Sequence, residues 1–153
     1  MKDKTSNTTT IEEGKVFFDS NILVYFVDER DPKKQLIAKN IIEQAVQNKN
    51  GIISTQSLQE FYNVITRKLN CPQNEAKKLV KMFSELFPVT QISVPLILNA
   101  IDISIKNNLS FWDSLILSAA HDTGCIVVFS EDMNHRQIID GAKILNPFPK
   151  EAV

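Results

Sequence analysis

Apolar residues fall in short runs separated by helical stripes, and the alternation extends along most of the chain. Lys15-Val16-Phe17-Phe18 is a β-type run that stops at Asp19. Ile22 to Val27 follows as a buried helix or a further strand, which periodicity does not separate at this length. Asp31-Pro32 starts a helix, with Asp as cap and Pro in the first turn, that carries Leu36, Ile37, Ile41, Ile42 and Ala45 at helical spacing until Asn48 to Gly51. Gly51-Ile52-Ile53-Ser54 reads as a second strand. Ser57 then opens a helix with Leu58, Phe61, Tyr62 and Ile65 on one stripe, broken at Asn70-Cys71-Pro72.

Asn74 to Phe87 is amphipathic, with Ala76, Leu79, Val80, Phe83 and Leu86 or Phe87 inward. Beyond Pro88, the alternation from Val89 to Val94 predicts a strand. Pro95 begins a helix through Leu96, Ile97, Ala100, Ile101 and Ile105. Ser110 caps a last helix carrying Leu115, Ile116, Ala119 and Ala120, closed by Gly124. Cys125 to Phe129 lacks polar alternation, as a strand at the centre of a parallel sheet does. Ala142 to Leu145 reads as a final edge strand. Alternating β and α elements with no repeat or linker predict one three-layer α/β/α domain over 15–148, around a mostly parallel twisted sheet. The Ser, Thr and Asn-rich stretch before it, 1–14, reads as a flexible tail.

Composition narrows the class without naming a partner. The 153 residues are 43% hydrophobic and 23% charged with a formal net charge of −1, so no global field draws in nucleic acid. No stretch approaches a membrane span and the N-terminus lacks a secretory hydrophobic region, which makes a cytoplasmic protein the expectation. Cys71 and Cys125 form no CxxC pair, and Cys125 reads as a buried apolar residue.

Four acids change the picture. Asp19 and Asp132 directly follow predicted strands, and Glu60 and Asp113 sit in helix entries, the ends that open α/β sheets direct into a ligand crevice. Each has a bland alternative: Ser57-x-x-Glu60 and Ser110-x-x-Asp113 match a capping box or its Asp variant, Asp19 an Asx turn, and Asp132 a solvated loop residue. Cap and ligand are compatible roles, because helix N-termini stabilise ionised carboxylates. Without a His or Cys cluster, all-oxygen donors suit Mg²⁺ or Mn²⁺ rather than Zn²⁺. The reaction class that follows is phosphodiester hydrolysis by metal-activated water. Alternation along an extended chain directs Glu131 away if Asp132 faces the site.

With these residues in place, the chain resembles the PIN-domain ribonucleases, many of them VapC-like toxins of type II toxin–antitoxin pairs. Phe18-Asp19-Ser20-Asn21-Ile22-Leu23-Val24-Tyr25 is similar to the opening motif, with Ser20 where Thr is usual. Ile53 to Tyr62 resembles the second motif, Leu109 to Leu115 the third, Ser130 to His135 the fourth, and Ile144-Leu145-Asn146-Pro147-Phe148 the ending of one subgroup. The resemblance implies that Asp19, Glu60, Asp113 and Asp132 are catalytic metal ligands, with Asn21 and Ser130 supporting them by hydrogen bonds. It further implies an endoribonuclease acting on RNA, a homodimer, and a small antitoxin protein as partner.

Arg67 and Lys68 lie seven and eight positions beyond Glu60, about 10 Å along nearly the same helix face, and are candidates for holding RNA phosphates. His135, three residues after Asp132, is a further RNA-binding candidate, with an exposed loop histidine as its alternative. Trp112 is expected in the core. Two competing functions share these features: a non-catalytic binding module on the same scaffold, and a haloacid-dehalogenase-type phosphatase. The latter needs an acid at the position of Asn21.

Overall fold

The computed structural model describes residues 14–150, so the tail expected over 1–14 lies, apart from Gly14, outside the described residues. In chain order the elements are β1 (Lys15–Phe18), α1 (Ser20–Val27), α2 (Pro32–Asn48), β2 (Gly51–Ser54), α3 (Thr55–Arg67), α4 (Gln73–Leu86), β3 (Val89–Thr90), α5 (Val94–Asn107), α6 (Phe111–Asp122), β4 (Cys125–Phe129), β5 (Ile138–Ile139) and β6 (Ala142–Leu145). The sheet runs β3-β2-β1-β4-β6-β5. Every pairing is parallel except β5 with β6.

Side chains of a strand alternate between the two faces of a sheet, and here each face builds its own core. Val16, Phe18, Ile53, Val127 and Phe129 pack on one side with Ile22, Ile42, Phe61 and Phe83 from α1 to α4. Phe17, Ile52, Val128 and Ile144 pack on the other with Ile103, Ile116 and Leu117 from α5 and α6. The expected three-layer α/β/α arrangement is therefore the observed one.

Several local expectations are corrected. The run Ile22 to Val27 is helical, within α1. Helix α3 starts ahead of Ser57: Ser54 is its N-cap, and Ser54 and Ser57 form a reciprocal capping box, so Glu60 is not a box partner. Strand β3 is two residues long, because Ser93 caps α5 and Pro95 lies in its first turn. Strand β6 is not the edge; the short antiparallel β5 lies outside it. Leu36, Ile101, Ile105 and Trp112 face outward, Trp112 at 64% exposure. Phe87 rather than Leu86 turns inward, filling space over Gly51, where a Cβ would come within 2.5 Å of its ring.

Other expectations hold. Asp31 caps α2, Ser110 caps α6, and Gly124 takes the positive φ of 75° that ends it. Cys125 is buried and both cysteines are free. Among the described residues, no helix is long and apolar enough to cross a membrane.

Candidate metal centre

Parallel strands bring their C-terminal ends to one edge, and the candidate acids follow from that. The Asp19 amide donates to the Phe129 carbonyl at 3.0 Å, joining the ends of β1 and β4. Asp19 then caps α1, its Oδ1 accepting from the Ser20 amide at 2.7 Å. Its Oδ2 accepts from the Ser130 hydroxyl at 2.8 Å. Ser130 Oγ in turn accepts from the Asp132 amide at 3.3 Å.

Asn21, in the first turn of α1, closes the loop from the other side. Its Nδ2 donates to Asp132 Oδ2 at 3.2 Å, and its Oδ1 accepts from the Glu131 amide at 3.3 Å. Both donor and acceptor of one amide are used on one loop, which fixes the direction of the Asp132 side chain.

Glu60 and Asp113 are brought in by polar ties at two helix starts. Ser57 Oγ donates to the Phe18 carbonyl at 3.1 Å, anchoring α3 to the end of β1. Gln56 Nε2 donates to the Trp112 carbonyl at 3.1 Å, anchoring α3 to the start of α6. Asp113 sits in the first turn of α6, where its amide donates to the Ser110 hydroxyl at 3.1 Å. The neighbouring helix terminus favours its negative charge.

The electrostatics show that these carboxylates sense one another. Burial pushes the Asp19 carboxyl up to about 6; hydrogen bonds from Ser130 and Ser20 oppose the rise, and the charges of Glu60 and Asp132 add to it. Glu60 is raised by burial, opposed by Gln56, and raised again by Asp113 and Asp132. Asp113 is raised by burial, opposed by Ser110, and raised by Asp132. Like charges that disfavour each other's ionised state are the arrangement a cation relieves.

The residues fit a hard divalent cation on chemical grounds. The donors are oxygens, Asp19 is 5% exposed, and Glu60 Oε1 is buried without a hydrogen-bond partner among the described residues. A buried carboxylate oxygen left unpaired is costly, and an ion would satisfy it. As the side chains stand, no three His, Cys, Asp or Glu residues among those described form a ready-made metal cluster.

Glu60 and Asp132 line one cleft of about 320 Å³, together with Asn21, Lys68 and Arg30. Neither Asp19 nor Asp113 is part of its wall; Asp19 adjoins it through Ser20, whose amide donates to Asp19 Oδ1. Lys68 is thus beside the acids. Arg67 and His135 are not: Arg67 is exposed at the end of α3, and His135 Nδ1 accepts from the Asn146 amide at 2.9 Å in a separate depression with Pro147 and Phe148.

Glu131 departs from the expected orientation, for it lines the same cleft as Asp132. It is not free there. Tyr25 Oη donates to its Oε1 at 2.7 Å and Lys34 Nζ to its Oε2 at 2.7 Å. The Lys34 ammonium lies 4.8 Å from the centre of the Tyr25 ring, and Glu131 raises its pKa. Tyr25, Lys34 and Gln56 give no sequence signal of their own, because their partners are remote in the chain.

Comparison with known proteins shows the family and the fold. A family model described as PIN domain matches residues 16–140. Among proteins with curated descriptions, none matches the chain. Similar solved structures include VapC20 of Mycobacterium tuberculosis, described as a Sarcin-Ricin loop cleaving toxin, at 17% identity and a TM-score of 0.62, covering 77% of this chain and 92% of that one. DNA-bound VapBC of Salmonella typhimurium is similar at 15% identity and a TM-score of 0.65, covering 88% and 98%. A toxin–antitoxin complex of Klebsiella pneumoniae is similar at 18% identity and a TM-score of 0.63, covering 88% and 98%. At such identities the likeness is one of fold.

Proposed function

The chain belongs to the PIN-domain family, and from that premise we propose that it is a metal-dependent endoribonuclease and the toxin of a toxin–antitoxin pair. The observation that carries the reading is the gathering of Asp19 and Asp132 at the joined ends of β1 and β4 through Ser130 and Asn21, with Glu60 on the same cleft wall as Asp132 and its Oε1 buried and unpaired. Asp19, Glu60, Asp113 and Asp132 would hold Mg²⁺ or Mn²⁺. When bound, the ion supplies positive charge to the phosphodiester and acidifies a water molecule for attack on phosphorus.

The protein's own groups do the rest. Ser130 opposes the rise that burial imposes on the Asp19 carboxyl by donating to Oδ2, and Asn21 orients Asp132. Lys68, on the cleft wall, provides a cation for an RNA phosphate despite the acidic surroundings. A cleft of about 320 Å³ is at the small end of ligand sites and suits an unpaired strand, whose bases and backbone are accessible in a way duplex RNA is not.

The partners of such a toxin are an antitoxin and a second copy of the chain. Solved relatives described as VapBC or toxin–antitoxin complexes support the first. Supporting the second, Val94, Leu98, Ile101 and Ile105 of α5 are exposed at steps of four, three and four residues. That spacing is the seam by which helices pair. RNA as substrate puts the protein to work in the cytoplasm, with residues 15–148 as the nuclease unit.

Incubation with single-stranded RNA and Mn²⁺ tests the reading. Wild type is expected to cleave, and Asp19→Asn and Asp113→Asn to lose cleavage while keeping the circular dichroism of the folded protein. Equal cleavage by all three would reject the proposal.

A further inference from the structure

The turn between α1 and α2 carries a guanidinium whose orientation the turn itself does not require. Asp28, 5% exposed, already accepts from the Arg30 amide at its Oδ1 at 3.1 Å, which closes the turn without the Arg30 side chain. Its two oxygens also take the Arg30 side chain side-on, Oδ1 from Nε at 2.9 Å and Oδ2 from Nη2 at 3.0 Å. The Arg30 side chain nonetheless remains 67% exposed. Side-on pairing uses Nε and one N–H of Nη2, so the end formed by Nη1 and the outer N–H of Nη2 stays available. That end is a planar fork of two donors, the geometry that matches two oxygens of a phosphate.

The position of this fork relative to the acids is the second observation. Arg30 lines the same cleft as Glu60, Asp132 and Lys68. It also lines the adjoining depression with Val27, Ile65 and Leu69. A strand leaving the acids toward that depression passes the guanidinium.

We propose that Arg30 is a substrate-binding residue that grips a backbone phosphate of RNA other than the one cleaved, with Asp28 as the positioning residue that holds its fork open to the cleft. This rests on the ribonuclease reading and adds a contact to it. Asp28 supplies preorganisation: the long side chain is already fixed before RNA arrives, which removes part of the ordering cost of binding. The paired carboxylate does not cancel the site, because the phosphate approaches the edge that Asp28 leaves free.

The test is the salt dependence of RNA binding in the full chain carrying Asp113→Asn to prevent cleavage, using a mixed-sequence, fluorescein-labelled single-stranded RNA with Mg²⁺ present. Each phosphate contact on a single strand contributes about 0.7 to the slope of log affinity against log salt. Adding Arg30→Gln is expected to weaken binding several-fold and to lower the slope magnitude by about 0.7. Arg30→Lys, which retains the charge without the fork, is expected to restore the slope but only part of the affinity. Thermal melts of each form confirm folding, and the slope is a readout that a purely structural role would leave unmoved. An unchanged slope in folded Arg30→Gln would overturn this inference alone. Absence of RNA binding in every form would overturn the ribonuclease reading and this inference with it.

Discussion

Ser130 and Asp19 are joined by a 2.8 Å hydrogen bond across 111 residues of sequence. The bond ties the residue after β4 to the residue after β1, so the geometry of the candidate centre is set where the two middle strands of the sheet end together. It also sets a charge state. Ser130 is the largest influence holding the Asp19 carboxyl down against the burial that raises it to about 6.

Ser130→Ala should therefore raise the Asp19 pKa further. The acid limb of the pH–rate profile for RNA cleavage is expected to move to higher pH, with activity at pH 6 falling several-fold and activity at pH 8 affected much less. Loss of a hydrogen bond to a charged group amounts to about 1.5–3 kcal/mol. A profile superimposable on that of wild type would remove Ser130 from this role.

The same carboxyl links metal-free stability to pH. The folded pKa of about 6 lies above the ordinary 3.8, so between those values the native state binds more protons than the unfolded state and stability falls as pH rises. The loss is complete above the folded value and is on the order of 3 kcal/mol. Glu60 and Asp113, also raised, act in the same direction. In chelator, the melting temperature is expected to drop from pH 4 through pH 6, relative to Asp19→Asn, and Mn²⁺ at pH 7 to reverse the drop. A flat difference between the two proteins would contradict the assignment.

Gln56→Leu cuts the tie from α3 to the Trp112 carbonyl and removes the group that opposes the rise at Glu60. The expected outcome is a stability loss of about 1 kcal/mol with a several-fold weaker Mn²⁺ affinity, read by denaturant melts and by calorimetric titration. An affinity equal to wild type would place Glu60 outside the influence of this contact.

Charge placed on α5 tests the proposed pairing of two copies. Leu98→Glu with Ile101→Glu puts carboxylates on positions that are 58% and 41% exposed in the single chain, so folding itself is expected to be little affected. Light scattering should report a monomer where the wild type gives a dimer. A dimer that survives both changes would direct the search to another face.

Much of this molecule was legible in the sequence where a signal is local. Asp31-Pro32 at a helix start and Ser110 before α6 are read from neighbouring residues and stand as expected. Ser54 and Ser57 were harder, since either can precede the apolar stripe of α3; the fold uses both in one box, which moves the helix start and frees Glu60 from capping. Trp112 was expected inside from its residue type alone, yet its place at the exposed start of α6 decides otherwise. Alternation, which presumes extended chain, predicts the wrong direction for Glu131, because Tyr25 and Lys34, 106 and 97 residues away, decide it.

The order of the strands has a consequence for synthesis. β4 lies between β1 and β6 at the middle of the sheet, yet it spans Cys125–Phe129, far along the chain from β1 at Lys15–Phe18. A ribosome-bound chain that stops short of those residues exposes one flank of β1, leaves Asp19 without Ser130, and has not yet acquired Asp132. The acidic edge between β1 and β4 therefore assembles only once the segment carrying β4 and Ser130 has joined the sheet, by topology alone.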